Sequence, residues 1–325
     1  MQYLEHLLAR WVLMVLVFVV AGAMTAPLSA LLWRRRRALS LVQLKGALSA
    51  VVLTPVVLAL FTALVAVMPP CAYHSVCYFG WLQQNLGNTG ILLLRALLLA
   101  TATLLIVFMV RLVVYVTTAL SALRQLHKAS RAPSGALQQV LQQVVPYREH
   151  HRFRELPSLG CIDMVYAGVC FLSEQSVRTL NEVQLRAVVA HEWQHLRSRD
   201  GWFAFAMGLL VRSAGLEAWS MALRRWSHAA ELLADERATL LGVPRIDLAR
   251  TLLHQQASAQ GLSLGFAANS SLLEERLRLL LAPQASTPGW AWFVWLAIVG
   301  GCGLALYVVW AAGGASTCTI HCILF

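Results

Sequence analysis

Two histidines, a glutamate and a downstream acidic pair are spaced so that they can do chemistry together. His191-Glu192-Trp193-Gln194-His195 has the pattern H-E-x-x-H. On a helix, positions i and i+4 share one face a turn apart, so both imidazoles can reach one zinc ion. Glu192 is turned about 100° from His191, beside the coordination position left open, where it can take a proton from an attacking water. Glu231-Leu232-Leu233-Ala234-Asp235 follows as E-x-x-x-D in a strongly helical stretch. Glu231 would complete a His2Glu ligand set for one zinc per chain. Asp235, one turn on, would face the same way and accept a hydrogen bond from a ligand imidazole, fixing its tautomer. His228 and His254 are substitute ligands of lower standing. The competing reading makes Glu231 and Asp235 a solvated acidic face paired with Arg224 or Arg237. Beside H-E-x-x-H the ligand reading is preferred.

The elements that must hold these residues can also be read. Asn181 followed by Gln184 is a capping-box start, and the helix it opens runs through Val183, Ala187 and Ala190 past His195. Gly160–Tyr166 and Gly168–Leu172 are short apolar or β-branched runs parted by Ala167-Gly168, and they predict two strands, or one strand with a turn. Leu123–Ser134, ending at Pro133, has the composition of a juxtamembrane linker. Residues 117–288 suffice for one compact domain.

Composition sets the wider frame. The chain has 325 residues, of which 58% are hydrophobic and 13% charged, with a mean hydropathy of +0.64. Soluble proteins carry about 25% charged residues, so the composition rules out a disordered chain and argues against an all-soluble globule. Four stretches reach the roughly 20 apolar residues needed to cross a bilayer. They are 11–33, 46–68, 91–116 and 289–312. Pro55 predicts a kink in the second. Arg95 and Arg111 lie near the ends of the third, where they can snorkel. The first span is read as a retained anchor, because its basic cluster follows it.

Arg34-Arg35-Arg36-Arg37 marks the cytoplasmic side. The N-terminus and the 69–90 loop are then outside, and the 117–288 insert is cytoplasmic. The 313–325 tail is outside again. Fourteen of the 15 acidic residues fall in the insert. The formal charge of +11 reflects this topology and is no reason to expect direct nucleic-acid binding.

The run from Val188 to Asp200, followed by Glu231–Asp235, resembles the BlaR/MecR-type integral-membrane zinc metallopeptidases. Gly168–Ser173 and Leu273-Glu274-Glu275-Arg276-Leu277 are similar to the same family's catalytic domain. The resemblance covers about residues 1–312. It implies a mostly α membrane protein of four transmembrane helices, with a cytoplasmic α+β gluzincin-type metalloprotease domain inserted between the third and fourth. It also implies His191, His195 and Glu231 as zinc ligands and Glu192 as catalytic base, with the 160–172 strand as the edge on which substrate backbone docks. The expected partners are the lipid bilayer of a bacterial cytoplasmic membrane and a protein substrate, for which the resemblance suggests a cytoplasmic transcriptional repressor. The sequence departs from the family in three places. Ala234 stands where a cysteine often precedes the aspartate, and no Asn-Pro occurs around Trp219–Trp226. Residues 313–325 leave no room for the receptors' penicillin-binding sensor domain.

Two other functions stay open at this point. One is an HtpX-like quality-control protease, which would usually place further spans between the motifs, whereas Trp202–Val211 is about half a span. The other is a non-catalytic membrane sensor or scaffold that retains the motif. The cysteines bear on the second. Cys71, Cys77, Cys318 and Cys322 all fall outside in this topology, where disulfides are the default. With His74 and His321 they could instead form a soft-metal or redox sensor.

Overall fold

A computed structural model describes residues 2–67, 72–157, 163–260 and 270–282. Three long helices open the chain: α1 (Gln2–Arg34), α2 (Leu41–Val67) and α3 (Ala72–Ala129). Each contains a stretch long and apolar enough to cross a membrane: Val15–Arg34, Leu41–Leu60 and Leu99–Ala129. Leu99, Ile106, Val110 and Val113 lie exposed on α3. So large an apolar face is suited to hydrocarbon and poorly suited to water.

Two expectations about these helices change. Residues 72–90 belong to α3 and do not form a loop. α2 ends at Val67, and from Ala72 the stretch has neither proline nor charge, so a helix can form there and run on into the apolar span. At its other end α3 continues to Ala129, taking up much of the linker expected at 123–134. The fourth span expected at 289–312 lies outside the described residues, as do Cys71, Cys318 and Cys322. Cys77 sits on α3.

A small mixed sheet follows α4 (Gly135–Val144). Its strands are β1 (Phe153–Leu156), β2 (Met164–Tyr166) and β3 (Val169–Ser173), in the order β1-β3-β2. β1 runs parallel to β3 and β2 antiparallel to it. Ala167 (φ 47°) and Gly168 (φ 82°) are both left-handed, as a two-residue primed hairpin turn requires. Of the expected strands, the first is shorter, the second is shifted by one residue, and β1 was not anticipated.

The remaining helices are α5 (Glu174–Thr179), α6 (Glu182–Arg197), α7 (Asp200–Ala214), α8 (Glu217–Leu240), α9 (Arg245–Gln260) and α10 (Ser270–Leu281). Phe153, Cys170 and Leu172 of the sheet pack against Leu185, Val188, Val189 and Trp193 of α6. A second core joins the insert to the membrane helices. In it Leu44, Leu48 and Val52 of α2 meet Met207 and Val211 of α7 and Trp219 and Trp226 of α8. The insert therefore shares a core with α1 and α2 and does not stand apart from them.

Trp219 is the keystone of that contact. It is fully buried, meets the ring of Phe18 on α1 edge-on at 5.5 Å, and donates its indole N–H to the Val52 carbonyl at 2.8 Å. Pro55 inside α2 has no N–H to give the Val51 carbonyl, and the Trp219 indole supplies an outside donor to the next carbonyl along, that of Val52. Trp219→Phe keeps most of the packing but removes this buried hydrogen bond. It is expected to destabilise the protein by about 1–3 kcal/mol, as a lowered thermal midpoint in detergent. An unchanged midpoint would contradict that role.

Candidate metal centre

α6 begins where its sequence says it should. The Asn181 side chain accepts from the Gln184 N–H at 2.9 Å, and Gln184 Oε1 accepts from the Asn181 N–H at 3.2 Å. From this start the helix enters the core, and every residue from Ala187 to Leu196 is buried. Ala187 and Ala190 of α6 and Ala238 of α8 are fully buried in one cluster. Side chains this small let the two helix backbones approach closely.

The approach brings His191, His195 and Glu231 together, with one ligand atom from each lying within 4.8 Å of the others. His191 Nε2 and His195 Nε2 are 3.2 Å apart. Glu231 Oε2 lies 3.2 Å from His191 Nε2, and its Oε1 lies 3.4 Å from His195 Nε2. Ligands held about 2.0–2.1 Å from a tetrahedral zinc stand roughly 3.3 Å from one another. The two imidazole nitrogens have that spacing, and each is as close to one or the other Glu231 oxygen, so the three side chains could hold a metal ion.

Carboxylates back both imidazoles. Asp200 Oδ2 lies 3.0 Å from His195 Nδ1. Asp235 Oδ1 lies 2.9 Å from His191 Nδ1, although out of line for a hydrogen bond from the ring. With each Nδ1 turned to a carboxylate, each Nε2 faces the centre. Arg276 of α10 closes the ring from outside. Its Nε and Nη2 donate to the two oxygens of Asp235 at 2.7 and 2.8 Å, and its Nη1 lies 3.1 Å from Glu231 Oε2. The pairing of Glu231 and Asp235 with Arg224 or Arg237 does not occur. Arg224 bonds Glu217, and Arg237 bonds Ser198. His228 packs its ring on Trp33 and His254 is exposed, so neither joins the cluster.

Electrostatics follow from this arrangement. Burial opposes charge on the His195 imidazole, but Glu231 and Asp200 outweigh it and push its pKa up to about 10. Burial likewise opposes charge on His191, which Asp235 and Glu231 raise above its usual range. Burial alone would raise the Glu231 carboxyl, yet Arg276 and His195 hold it well below the usual range. Glu192 differs: burial raises its carboxyl, and the neighbouring histidines offset this only in part.

These shifts have a measurable consequence. With a pKa of about 10 against an ordinary 6.5, His195 of the metal-free protein carries its proton at pH 7. A metal must displace that proton, so zinc affinity is expected to fall as pH is lowered. At pH 7 each zinc taken up should release at least one proton, read as a dependence of the binding heat on the buffer's ionisation enthalpy. The raised pKa also stabilises the metal-free fold. That contribution is complete below pH 6.5 and lost as pH rises toward about 10. A binding heat independent of the buffer would contradict the expected displacement.

No protein-family model matches the chain, and no curated protein matches it either. The site's own geometry must therefore carry the functional argument. His191, Glu192, His195 and Glu231 all line a cavity of about 450 Å³, whose wall also includes Asp163, Met164 and Val165. β2, which supplies Met164 and Val165, is an edge strand of the sheet. The opposite edge is partly covered, because Arg131 bridges to Glu155 of β1.

Sequence reasoning missed Asp200 and Arg276 as members of the site. Asp200 had a local signal. α6 ends at Arg197, the left-handed Arg199 (φ 57°) turns the chain, and α7 begins at Asp200 directly behind His195. Arg276 lay in the 273–277 run that resembles the family but had no spacing signal of its own, since only the packing of α10 brings it to Asp235.

Proposed function

We propose that this chain is a membrane-embedded, zinc-dependent endopeptidase that hydrolyses a peptide bond in a cytoplasmic or membrane-proximal protein. The observation that carries the reading is the convergence of His191, His195 and Glu231, with one ligand atom from each within 4.8 Å of the others and Glu192 on the same cavity wall. His191, His195 and Glu231 would hold the metal. When bound, zinc supplies a Lewis acid that polarises the scissile carbonyl and acidifies an attacking water.

The chain's own groups do the rest. The Glu192 carboxylate takes the proton of the attacking water and returns it to the leaving amine nitrogen. Burial, which raises this carboxyl, helps it keep the proton between those two events. A wall of the half-buried Val165 and the buried Val188 and Trp226 excludes bulk water. Among the described residues β2 is an edge strand, and there an extended peptide would add as a further strand and run across the cavity.

The membrane topology belongs to the same proposal. A fourth span at 289–312 would return the chain across the bilayer, with the arginines at 34–37 on the cytoplasmic side of a bacterial cytoplasmic membrane. By its resemblance to the BlaR/MecR-type peptidases, the substrate is a transcriptional repressor and the protein one arm of a signalling switch. One observation favours the HtpX-like quality-control reading instead. α7 and α8, which lie between the two motif halves, pack on α3 and on α1 and α2. Digestion of a panel of repressors and of misfolded membrane proteins, each with wild type and Glu192→Ala, separates these readings. Cleavage of repressors alone supports the switch, and cleavage of misfolded proteins supports quality control. Equal cleavage by wild type and variant would refute both.

A further inference from the structure

Lys45 lies in the first turns of α2, within a stretch long and apolar enough to cross a membrane. A lysine there is costly unless it has a partner. Its side chain is 13% exposed, and its Nζ bonds Asp200 Oδ1. The other oxygen of the same carboxylate, Oδ2, faces His195 Nδ1 at 3.0 Å. The Asp200 side chain is itself 9% exposed. The ammonium also lies 5.8 Å from the centre of the Trp226 ring, whose indole N–H donates to Ser49 Oγ, one turn further along α2.

Resting on the zinc reading above, we propose that Lys45 is a positioning residue of the metal centre. It clamps one oxygen of Asp200 so that the other fixes the ring of His195 with Nε2 toward His191 and Glu231. Without that clamp the carboxylate can turn about its terminal torsion, and His195 loses the partner that sets its tautomer and its ring plane. A helix with the length and composition of a membrane span thus takes part directly in the geometry of the site. The insert alone, without α2, lacks this contact.

The test measures zinc affinity by chelator competition on the full chain in detergent. It compares wild type, Lys45→Met, Asp200→Asn and the double variant, with the unfolding midpoint of each metal-free form. Lys45→Met and Asp200→Asn are each expected to weaken zinc binding about tenfold or more. The double variant should bind no more weakly than Asp200→Asn alone, because Lys45 acts through Asp200. A purely structural role would lower the unfolding midpoint and leave affinity unchanged. Lys45→Met strands a buried carboxylate; if it does not accumulate, Asp200→Asn against the double variant still decides, since the double leaves neither charge unpaired. Wild-type affinity in Lys45→Met, or a further tenfold loss in the double variant, overturns the positioning role while the zinc reading stands. A wild type that binds no zinc overturns that reading, and this inference with it.

Discussion

Glu192→Gln is expected to bind zinc as wild type does and to lose cleavage by about 10²–10⁴-fold, the usual contribution of a positioned general base. The amide keeps the size and shape of the carboxylate, so the packing of α6 against the sheet should survive. What the variant lacks is an oxygen able to take a proton from water and return it to the leaving amine. Because Glu192 is not among the three clustered ligand atoms, metal content and activity should separate cleanly. Parallel zinc analysis and cleavage assays of wild type and variant check this. A variant that cleaves at the wild-type rate would remove Glu192 from the chemistry. One that loses zinc as well would make it part of the ligand set.

Arg276→Met is expected to have the largest effect on stability. Arg276 carries two carboxylates, Asp235 through a fork of two hydrogen bonds and Glu231 through a third contact. Asp235 and Arg276 are nearly closed off from solvent, with side-chain exposures of 4% and 13%. Breaking a buried pair by removing one partner costs about 3–5 kcal/mol, because the other charge stays buried without compensation. The metal-free variant should show that loss in full, and zinc should restore part of it by neutralising Glu231.

The sign of the pH dependence follows from the carboxyls. Burial would raise both, but in the wild type Arg276 leads the groups that hold Glu231 and Asp235 below their ordinary 4.5 and 3.8. Their stabilisation is present above those ordinary values and lost as pH falls through the depressed ones. The gap between wild type and variant should therefore be widest near neutral pH and narrow in acid. Denaturant unfolding of both metal-free proteins at pH 7 and at about pH 3, below both ordinary values, measures it. A gap that widened in acid would contradict the pairing.

The parts of this site that could be read from sequence are those whose determinants are local. H-E-x-x-H needs only helical periodicity, and the capping box at Asn181 announces where that helix starts. Glu231 and Asp235 share a face by the same periodicity. The residues that complete the ring depend on packing between distant segments. Arg276 comes from α10 and Lys45 from α2, and no spacing rule connects either to His195. β1 escaped notice because four residues, Phe-Arg-Glu-Leu, alternate too briefly to declare a strand; pairing with β3 makes it one. Hydropathy identified stretches within α1, α2 and α3 as spans, but it could not show that α7 and α8 pack among those helices. Trp219 and Trp226 read equally well as core residues of a separate domain, until Val52 and Ser49 are seen to accept their indole N–H groups.

The claim that most needs testing is the identity of the metal's ligands, because the cysteines offer a rival set. X-ray absorption at the zinc edge, on the full chain loaded with one equivalent of zinc, addresses it directly. The expected result is a shell of nitrogen and oxygen at about 2.0–2.1 Å with two imidazoles and no sulfur. Sulfur at about 2.3 Å, or a chain that retains no zinc, would contradict a centre built from His191, His195 and Glu231.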